Sequence, residues 1–558
     1  MALDPNQPLT WTAPGPGEWS LDRSHVNRPA TPINQHIQSI GTGRGTRRVF
    51  IDIGGPVQSL EFRFVNGLVY SRVFPLVGAE KPPRSLPPKP ILSVMSHLHP
   101  RFRQRLRVAK RLMTDRPWRR VVAEWSAPDG LRSQIQAKNL AFQDVDLGSL
   151  DDAALVRHIA QVIDHATAMF EEHFWLHGYD LCPIGLLLHA ALSWGLTPAE
   201  VLPLLEGASP STSEAEAELR RIRDLVTATG TQPTSLAQLR ALSPAIATLV
   251  DDFLRLRGHL VISRYDIDGL LLIDSPDILV SRIMNARDVT NRADAVDTAL
   301  AVRRSALRER IPASNRDDFD VLLEEARAAM DLRDDNGPHT VEWPLGLIRL
   351  ALLELGRRLV ERGKMMNAEH AFELTPEEVS TIWVATPAAE ELAGRQQWRT
   401  SVNIEDAPRK LGGPEPVPPL DVLPAPLALI ASFVKIVISE AGIDGEQRTQ
   451  GLQGFGVGTT THRGTARVAT SPEEALMCLE PGDVLVVPCT TPAYNMVVGM
   501  AGALVTAEGG SLSHAAVIAR ELGIPGVIGA PTAMRDIPDG STVEVDPLAG
   551  VVRLVSGS

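Results

Sequence analysis

The chain has 558 residues, enough for two or three domains, and 44% of them are hydrophobic, ample for several cores. Its formal net charge of −12 argues against a general nucleic-acid or anionic-membrane binder, because phosphate surfaces demand clustered Lys and Arg. Three cysteines without paired spacing, Cys182, Cys478 and Cys489, indicate neither a disulfide framework nor a thiolate zinc site and fit a reducing cytoplasm.

In chain order, residues 1–20 are polar and Pro-rich, lack the basic-then-apolar form of a signal peptide, and read as a flexible leader. The folded part is expected to begin at Trp19-Ser20-Leu21-Asp22-Arg23-Ser24-His25. Residues 50–70 carry β-rich stretches broken by Gly54-Gly55 and by Asn66-Gly67, the latter a hairpin-turn signal. From residue 101 to about 382 apolar residues recur at three and four spacing, which predicts helices over 155–176, 184–196, 215–229, 236–256, 316–332 and 343–363. The basic run 101–111 reads as a solvated helix face. Residues 21–393 are therefore expected to form a mostly helical domain with a β-rich start. His173 and His177 stand one helical turn apart, but no third ligand follows at metal-site spacing, so no metal is expected there.

Residues 394–450 shift to Pro and Gly around 412–419 and read as a semi-rigid linker with one possible helix, a tether that lets its cargo move. The most apolar run, 427–438, is interrupted by Lys435 and is well short of the roughly 20 residues a spanning helix needs, so no membrane segment is expected. Short β runs follow at 484–487, 503–506, 526–528, 542–545 and 551–555.

The chemistry concentrates in 503–529. A strand-like run leads into Gly509-Gly510, then Ser511-Leu512-Ser513, then His514 at the opening of a helix that stops at Gly523-Ile524-Pro525. The first N–H groups of a helix lack backbone partners and carry partial positive charge, so an anion is stabilised there. Ser511 or Ser513 can act as N-cap, and Gly509 and Gly510 let the backbone approach a ligand. Imidazole is a neutral nucleophile near pH 7. Thr506, Glu508 and Arg520 are placed to contact phosphate or orient the ring.

These residues, together with Ile518-Ala519-Arg520-Glu521-Leu522-Gly523-Ile524-Pro525, Gly482-Asp483-Val484-Leu485-Val486, Thr490-Thr491-Pro492-Ala493-Tyr494 and Gly540-Ser541-Thr542-Val543-Glu544-Val545-Asp546, resemble the swivelling phosphohistidine domain of the dikinase group. That group includes phosphoenolpyruvate synthase, pyruvate phosphate dikinase and the rifampicin phosphotransferases. The resemblance implies an α/β swivelling domain over 451–558 with His514 as phosphate carrier. Two middle segments are similar to the acceptor region of rifampicin phosphotransferases. One is Arg257-Gly258-His259 with Tyr265-Asp266-Ile267; the other runs Leu332-Arg333-Asp334, Ile348-Arg349 and Glu369-His370-Ala371-Phe372. The family has Leu-Arg-Glu and Glu-Asp-Val-Phe at the first and last motifs of the second segment, so Asp334 and His370 are departures. Candidate acceptor-site residues are Arg333, Arg349, His259, Asp266 and the cluster His165, His173 and His177, flanked by Phe170, Phe174 and Trp175.

The sequence contains no Gly-x-x-x-x-Gly-Lys-Ser/Thr loop and no segment resembling a phosphoenolpyruvate-binding barrel. The resemblance then implies a split phosphotransferase of the kind formed by phenylphosphate and 4-cresol phosphate synthases. A separate ATP-grasp subunit would bind ATP and Mg2+ and phosphorylate His514. This chain would bind no cofactor tightly and would deliver the phosphoryl group to a small organic hydroxyl, a phenol or alkylphenol. The alternative is a phosphocarrier that passes phosphate to another protein.

Overall fold

The computed structural model describes residues 9–23, 28–81, 83, 85–286, 290–442, 449–490 and 494–555. The chain divides into two compact units, one comprising 1–179, 266–268 and 336–434, the other 180–265, 269–335 and 435–558. The boundaries expected at 393 and 450 are thus replaced, and most of 180–335 joins the unit that carries His514.

In the first unit, β1 (Trp19–Leu21), β2 (Val57–Val65), β3 (Leu68–Pro75) and β4 (Lys410–Leu411) form an antiparallel sheet in the order β2-β3-β1-β4. The β2–β3 hairpin turns at Asn66 (φ 51°) and Gly67 (φ 75°), the left-handed pair that an Asn-Gly hairpin needs. Trp19, Leu68, Tyr70, Phe74 and Leu411 make its core, and Leu9, Trp11 and Ala13 of the expected leader pack against it. Ser24 and His25 lie outside the described residues.

The β-rich start expected over 50–70 begins later than the pattern suggests. Residues up to Ile53 complete the helix Pro32–Ile53, which ends at Gly54 with φ 75°. The predicted helices 155–176 and 184–196 are one helix, Asp152–Ser193, with Pro183 inside it. In the basic run 101–111, Arg105 is buried rather than solvated.

The Pro-rich run 412–419 is a strap rather than a free tether. β4 pairs with β1 just before it, and the helix Ala389–Ser401 precedes both. Glu415 takes two hydrogen bonds at 2.9 Å from the Arg72 guanidinium, whose side chain is 2% exposed. Beyond it, Ser96 Oγ donates to Val422 O at 2.7 Å, and the helix Ala425–Ala441 follows. The sequence shows the prolines but not Arg72, which lies 343 residues away in the chain.

In the second unit, the helices Pro210–Ala228, Pro244–Arg257 and Pro276–Met284 share a core of Leu219, Ile222, Val226, Val250, Phe253, Leu279 and Ile283. The predicted helix 236–256 is two, because Ser243 caps a new start ahead of Pro244, its Oγ accepting from Ile246 N at 3.2 Å. A seven-stranded sheet follows. Its strands are β5 (Phe455–Val457), β6 (His462–Val468), β7 (Val484–Val487), β8 (Ala503–Thr506), β9 (Gly526–Ile528), β10 (Thr542–Asp546) and β11 (Val551–Leu554). The order is β11-β10-β6-β7-β8-β9-β5, with β6 to β9 parallel and the outer strands antiparallel. Every residue of β7 and β8 is buried, as expected for central parallel strands covered on both faces. Leu485, Val487 and Leu504 face one core, and Val484, Val486, Ala503 and Val505 the other. Among the described residues no single helix is long and apolar enough to cross a membrane.

Candidate functional site

The carboxyl ends of parallel strands collect loops and helix N-termini on one edge, where open α/β sheets bind ligands. β8 ends at Thr506, and after seven intervening residues the helix His514–Leu522 begins and leads through Gly523 (φ 66°) to β9. Ser513 is its N-cap, accepting from Ala516 N at 3.4 Å and donating to Gly510 O at 2.8 Å. His514 is half-buried at the first helical position. Its Nδ1 lies 2.9 Å from Thr490 Oγ1, and its Nε2 lies 2.9 Å from Asn495 Oδ1. Thr490 follows the carboxyl end of β7, so neighbouring strands bring the two residues together.

A threonine hydroxyl can donate or accept, and a side-chain amide can present either its oxygen or its nitrogen. The two partners can therefore hold the ring in either tautomer. A neutral ring fixed in this way, with one nitrogen freed, has a lone pair at the positive end of a helix. That arrangement suits attack on a phosphoryl group and stabilises the anion formed.

The loop before His514 is braced by protein groups. Gly509 has φ 111°, where only glycine is comfortable. A Cβ on Gly510 would stand 2.3 Å from Glu440 O, so Gly510 admits the end of the helix Ala425–Ala441 rather than a ligand. Leu512 N donates to Glu440 O at 2.8 Å, and Ser511 Oγ donates to the Glu440 carboxylate. Two guanidinium groups hold consecutive carbonyls. Arg520 Nη2 donates to Ser511 O at 3.1 Å, and Arg333 Nη2 donates to Leu512 O at 2.6 Å. Thr506 is fully buried and ties Glu508 O (2.8 Å) to Gly529 N (3.2 Å), so it shapes the loop instead of meeting the imidazole. Of the expected support residues, Ser513 caps the helix as anticipated, while Gly510, Ser511, Arg520 and Thr506 act through the loop backbone.

The acceptor candidates divide between the two units. Arg333 and His259 belong to the second unit, and Arg333 serves the His514 loop. Its neighbour Asp334 is pushed up to about 6 by burial, against the opposing pull of Arg333. Asp266 is buried in the first unit, where it accepts from Thr31 N at 2.8 Å and Thr31 Oγ1 at 2.5 Å and so caps the helix Pro32–Ile53. Arg349 is buried beside it, donating to Ile267 O at 3.4 Å with its guanidinium 5.1 Å from the Phe372 ring centre. His370 is buried there too, and that burial holds its imidazole below the usual range. His165 bonds Asn139 Oδ1 through Nε2 at 2.7 Å and stacks on Phe142, with burial and then Lys138 lowering it to about 4. His173 Nδ1 lies 3.1 Å from Thr340 Oγ1, and the His173 and His177 rings are 4.4 Å apart, centre to centre. Among the described residues no three His, Cys, Asp or Glu side chains cluster as metal ligands.

The sequence reading missed Asn495, Glu440 and a role for Thr490. Thr490 stands in a motif that marked the family, while Asn495 and Glu440 carry no local signal, since their partners are 19 and 71 residues away.

Residues 479–550 match the family model described as PEP-utilising enzyme, mobile domain. Over 89 residues the chain is 48% identical to the phosphoenolpyruvate synthase of Aeropyrum pernix, covering 16% of this chain and 11% of that protein. It is 29% identical to the uncharacterized phosphotransferase YvkC of Bacillus subtilis across 44% of this chain and 28% of that protein. A chondramide synthase of Chondromyces crocatus is 26% identical across 99% of this chain but only 14% of its own length. The chain thus spans no more than 28% of any of these three relatives.

Proposed function

Since this chain carries the phosphohistidine mobile domain of dikinase-type, PEP-utilising enzymes, we propose that it is the His514-phosphorylated component of a phosphotransferase. The phosphoryl group passes from ATP to His514 and then to a small organic hydroxyl compound, a phenol or alkylphenol. ATP and Mg2+ are held by a separate ATP-grasp subunit. The observation that carries this reading is the half-buried imidazole at a helix N-terminus with both ring nitrogens held, by Thr490 and Asn495.

Phosphoryl transfer asks a protein for alignment and for positive charge around a loose, anionic transition state more than for covalent work. The helix end supplies partial charge, and Arg333 and Arg520 fix the carbonyls of Leu512 and Ser511 that lead into it. A phenol suits such a donor because its ordinary pKa, about 10, makes it easier to ionise than an aliphatic alcohol. The test is labelling with ATP. The chain alone should stay unmodified, and addition of the ATP-grasp partner should give an acid-labile, base-stable phosphate that is lost in His514→Ala. Labelling of the isolated chain would remove the separate subunit from the proposal, and a label that survives His514→Ala would remove His514.

A further inference from the structure

The imidazole of His514 is held at Nε2 by Asn495, which opens the short helix Asn495–Val498, so whatever fixes that helix also fixes the ring. On one side Val497 and Val498 are fully buried in the core that contains Leu485, Leu504, Ala515 and Ala519. Gly499 follows with helical φ −58° and ψ −19°, four positions after Asn495 and therefore on the same side of the turn. A Cβ on Gly499 would stand 2.5 Å from Arg282 Nη2, 2.7 Å from Arg282 Cζ and 3.1 Å from Arg282 Nη1. The guanidinium thus fills the space that any other side chain at 499 would need.

Arg282 comes from the helix Pro276–Met284, and its Nη2 donates to Glu216 of the helix Pro210–Ala228 at 2.6 Å. The two side chains are 2% and 4% exposed. Arg282 Nε and Nη1 have no hydrogen-bond partner among the described residues. A buried ion pair adds little to stability compared with apolar side chains of the same volume, and unsatisfied guanidinium nitrogens add less still. Stability is therefore a poor reason for a charge here. What the pair does supply is a planar group of fixed position, anchored in the helices and set against the turn that carries Asn495. Every residue in this series belongs to the second unit.

We propose that Arg282, set in place by Glu216, is a positioning residue for His514: through Gly499 it fixes the turn that carries Asn495, and Asn495 fixes the imidazole. The inference rests on the reading of His514 as the phosphorylated residue. Arg282 touches neither the ring nor the phosphoryl group in this account; it acts on the orientation and tautomer of the ring from which transfer begins.

Two changes in the full chain test it. Gly499→Ala drives a methyl group into the guanidinium, and Arg282→Met made together with Glu216→Gln removes the guanidinium without leaving a buried charge unpaired, which protects the fold. Nitrogen-15 NMR of the histidine rings reads the His514 tautomer with no phosphorylation needed, the resonance being assigned by its loss in His514→Ala. Wild type should show one dominant tautomer, Asn495→Ala a mixture, and both changes a mixture like that of Asn495→Ala. The rate of His514 labelling should fall about tenfold in each, and should fall no further when either is combined with Asn495→Ala, because both act through that residue. A general loss of stability would instead slow labelling by the same factor in either background. An unchanged tautomer, or an undiminished slowing in the Asn495→Ala background, overturns the proposal. Should the paired change fail to fold, Gly499→Ala decides by the same readouts. A chain that never labels sinks the phosphotransferase reading, and the NMR comparison then decides the role of Arg282 by itself.

Discussion

Gly510→Ala is the sharpest test of how the His514 loop is held. The added Cβ would stand 2.3 Å from Glu440 O, 3.0 Å from Glu440 C and 3.2 Å from Gly442 N, all backbone atoms that cannot swing aside. The end of the helix Ala425–Ala441 must retreat by about 1 Å to regain ordinary contact. That retreat breaks the Leu512 N to Glu440 O bond and pulls Glu440 from Ser511. Losing one buried backbone bond and one bond to a charged group costs on the order of 2 to 4 kcal/mol. The displaced residues lie four or fewer positions before His514, so the imidazole moves with them, and a misplacement of about 1 Å can slow a transfer step about a hundredfold. Urea denaturation reads the first effect, and the initial rate of His514 phosphorylation reads the second. Gly394→Ala is the control, because a Cβ there meets nothing within 4 Å in the helix Ala389–Ser401, and it should leave stability equal or slightly higher. Unchanged stability and labelling in Gly510→Ala would show that Glu440 does not brace this loop.

Asn495→Ala and Thr490→Val each remove one hydrogen bond that orients the ring, so each should slow His514 phosphorylation by about one to two orders of magnitude, and the double variant should lose less than the product because both act on one ring. Glu415→Ala strands the buried Arg72 guanidinium and should destabilise the first unit by about 2 to 3 kcal/mol in urea, with no change in labelling rate. Glu342 gives a pH signature of definite sign. Its carboxyl is held near 8 in the fold against an ordinary 4.5, so the unfolded chain releases that proton first. Stability is therefore full below 4.5, falls as pH rises toward 8, and levels off beyond, a loss on the order of 5 kcal/mol. Glu342→Gln should flatten that part of the slope when urea midpoints at pH 5 and pH 8 are compared. An equal slope in the two proteins would mean that the carboxyl is not buried.

What the sequence disclosed was local. Asn66-Gly67, the runs of β7 and β8 and the Gly523 stop are each set by residues within a few positions and stand where the pattern put them, and of the two expected caps, Ser511 and Ser513, the structure uses Ser513. The apolar spacing predicts two helices, 155–176 and 184–196, where the structure has one, Asp152–Ser193; proline disfavours a helix interior, yet this helix runs through Pro183. The glycines before His514 were legible as a place of close approach, but their visitor was not: backbone flexibility says that something comes near, and only the fold says that it is Glu440. Arg333 shows the same limit. Its motif marked it as functional, yet its partner, Leu512 O, is 179 residues away.

The strap changes the argument about carrier movement. The composition of 412–419 predicts a tether that frees His514, and a Pro-rich run does act as a spacer when nothing holds it. Here Glu415 is bound in two places by a guanidinium with almost no solvent, β4 is paired, and Val422 O is bonded to Ser96. Breaking hydrogen bonds to a buried charge costs about 1.5 to 3 kcal/mol each, several times thermal energy. The prolines are therefore a poor hinge, and under the proposed transfer any movement of His514 begins beyond Val422. On that side the helix Ala425–Ala441 carries Glu440 in its last turn, and the contacts of Glu440 with Ser511 and Leu512 hold the loop that orients the imidazole. Glu440 is thus the residue at which loop geometry and helix position meet, and variants there should affect labelling in ways that variants of the strap do not.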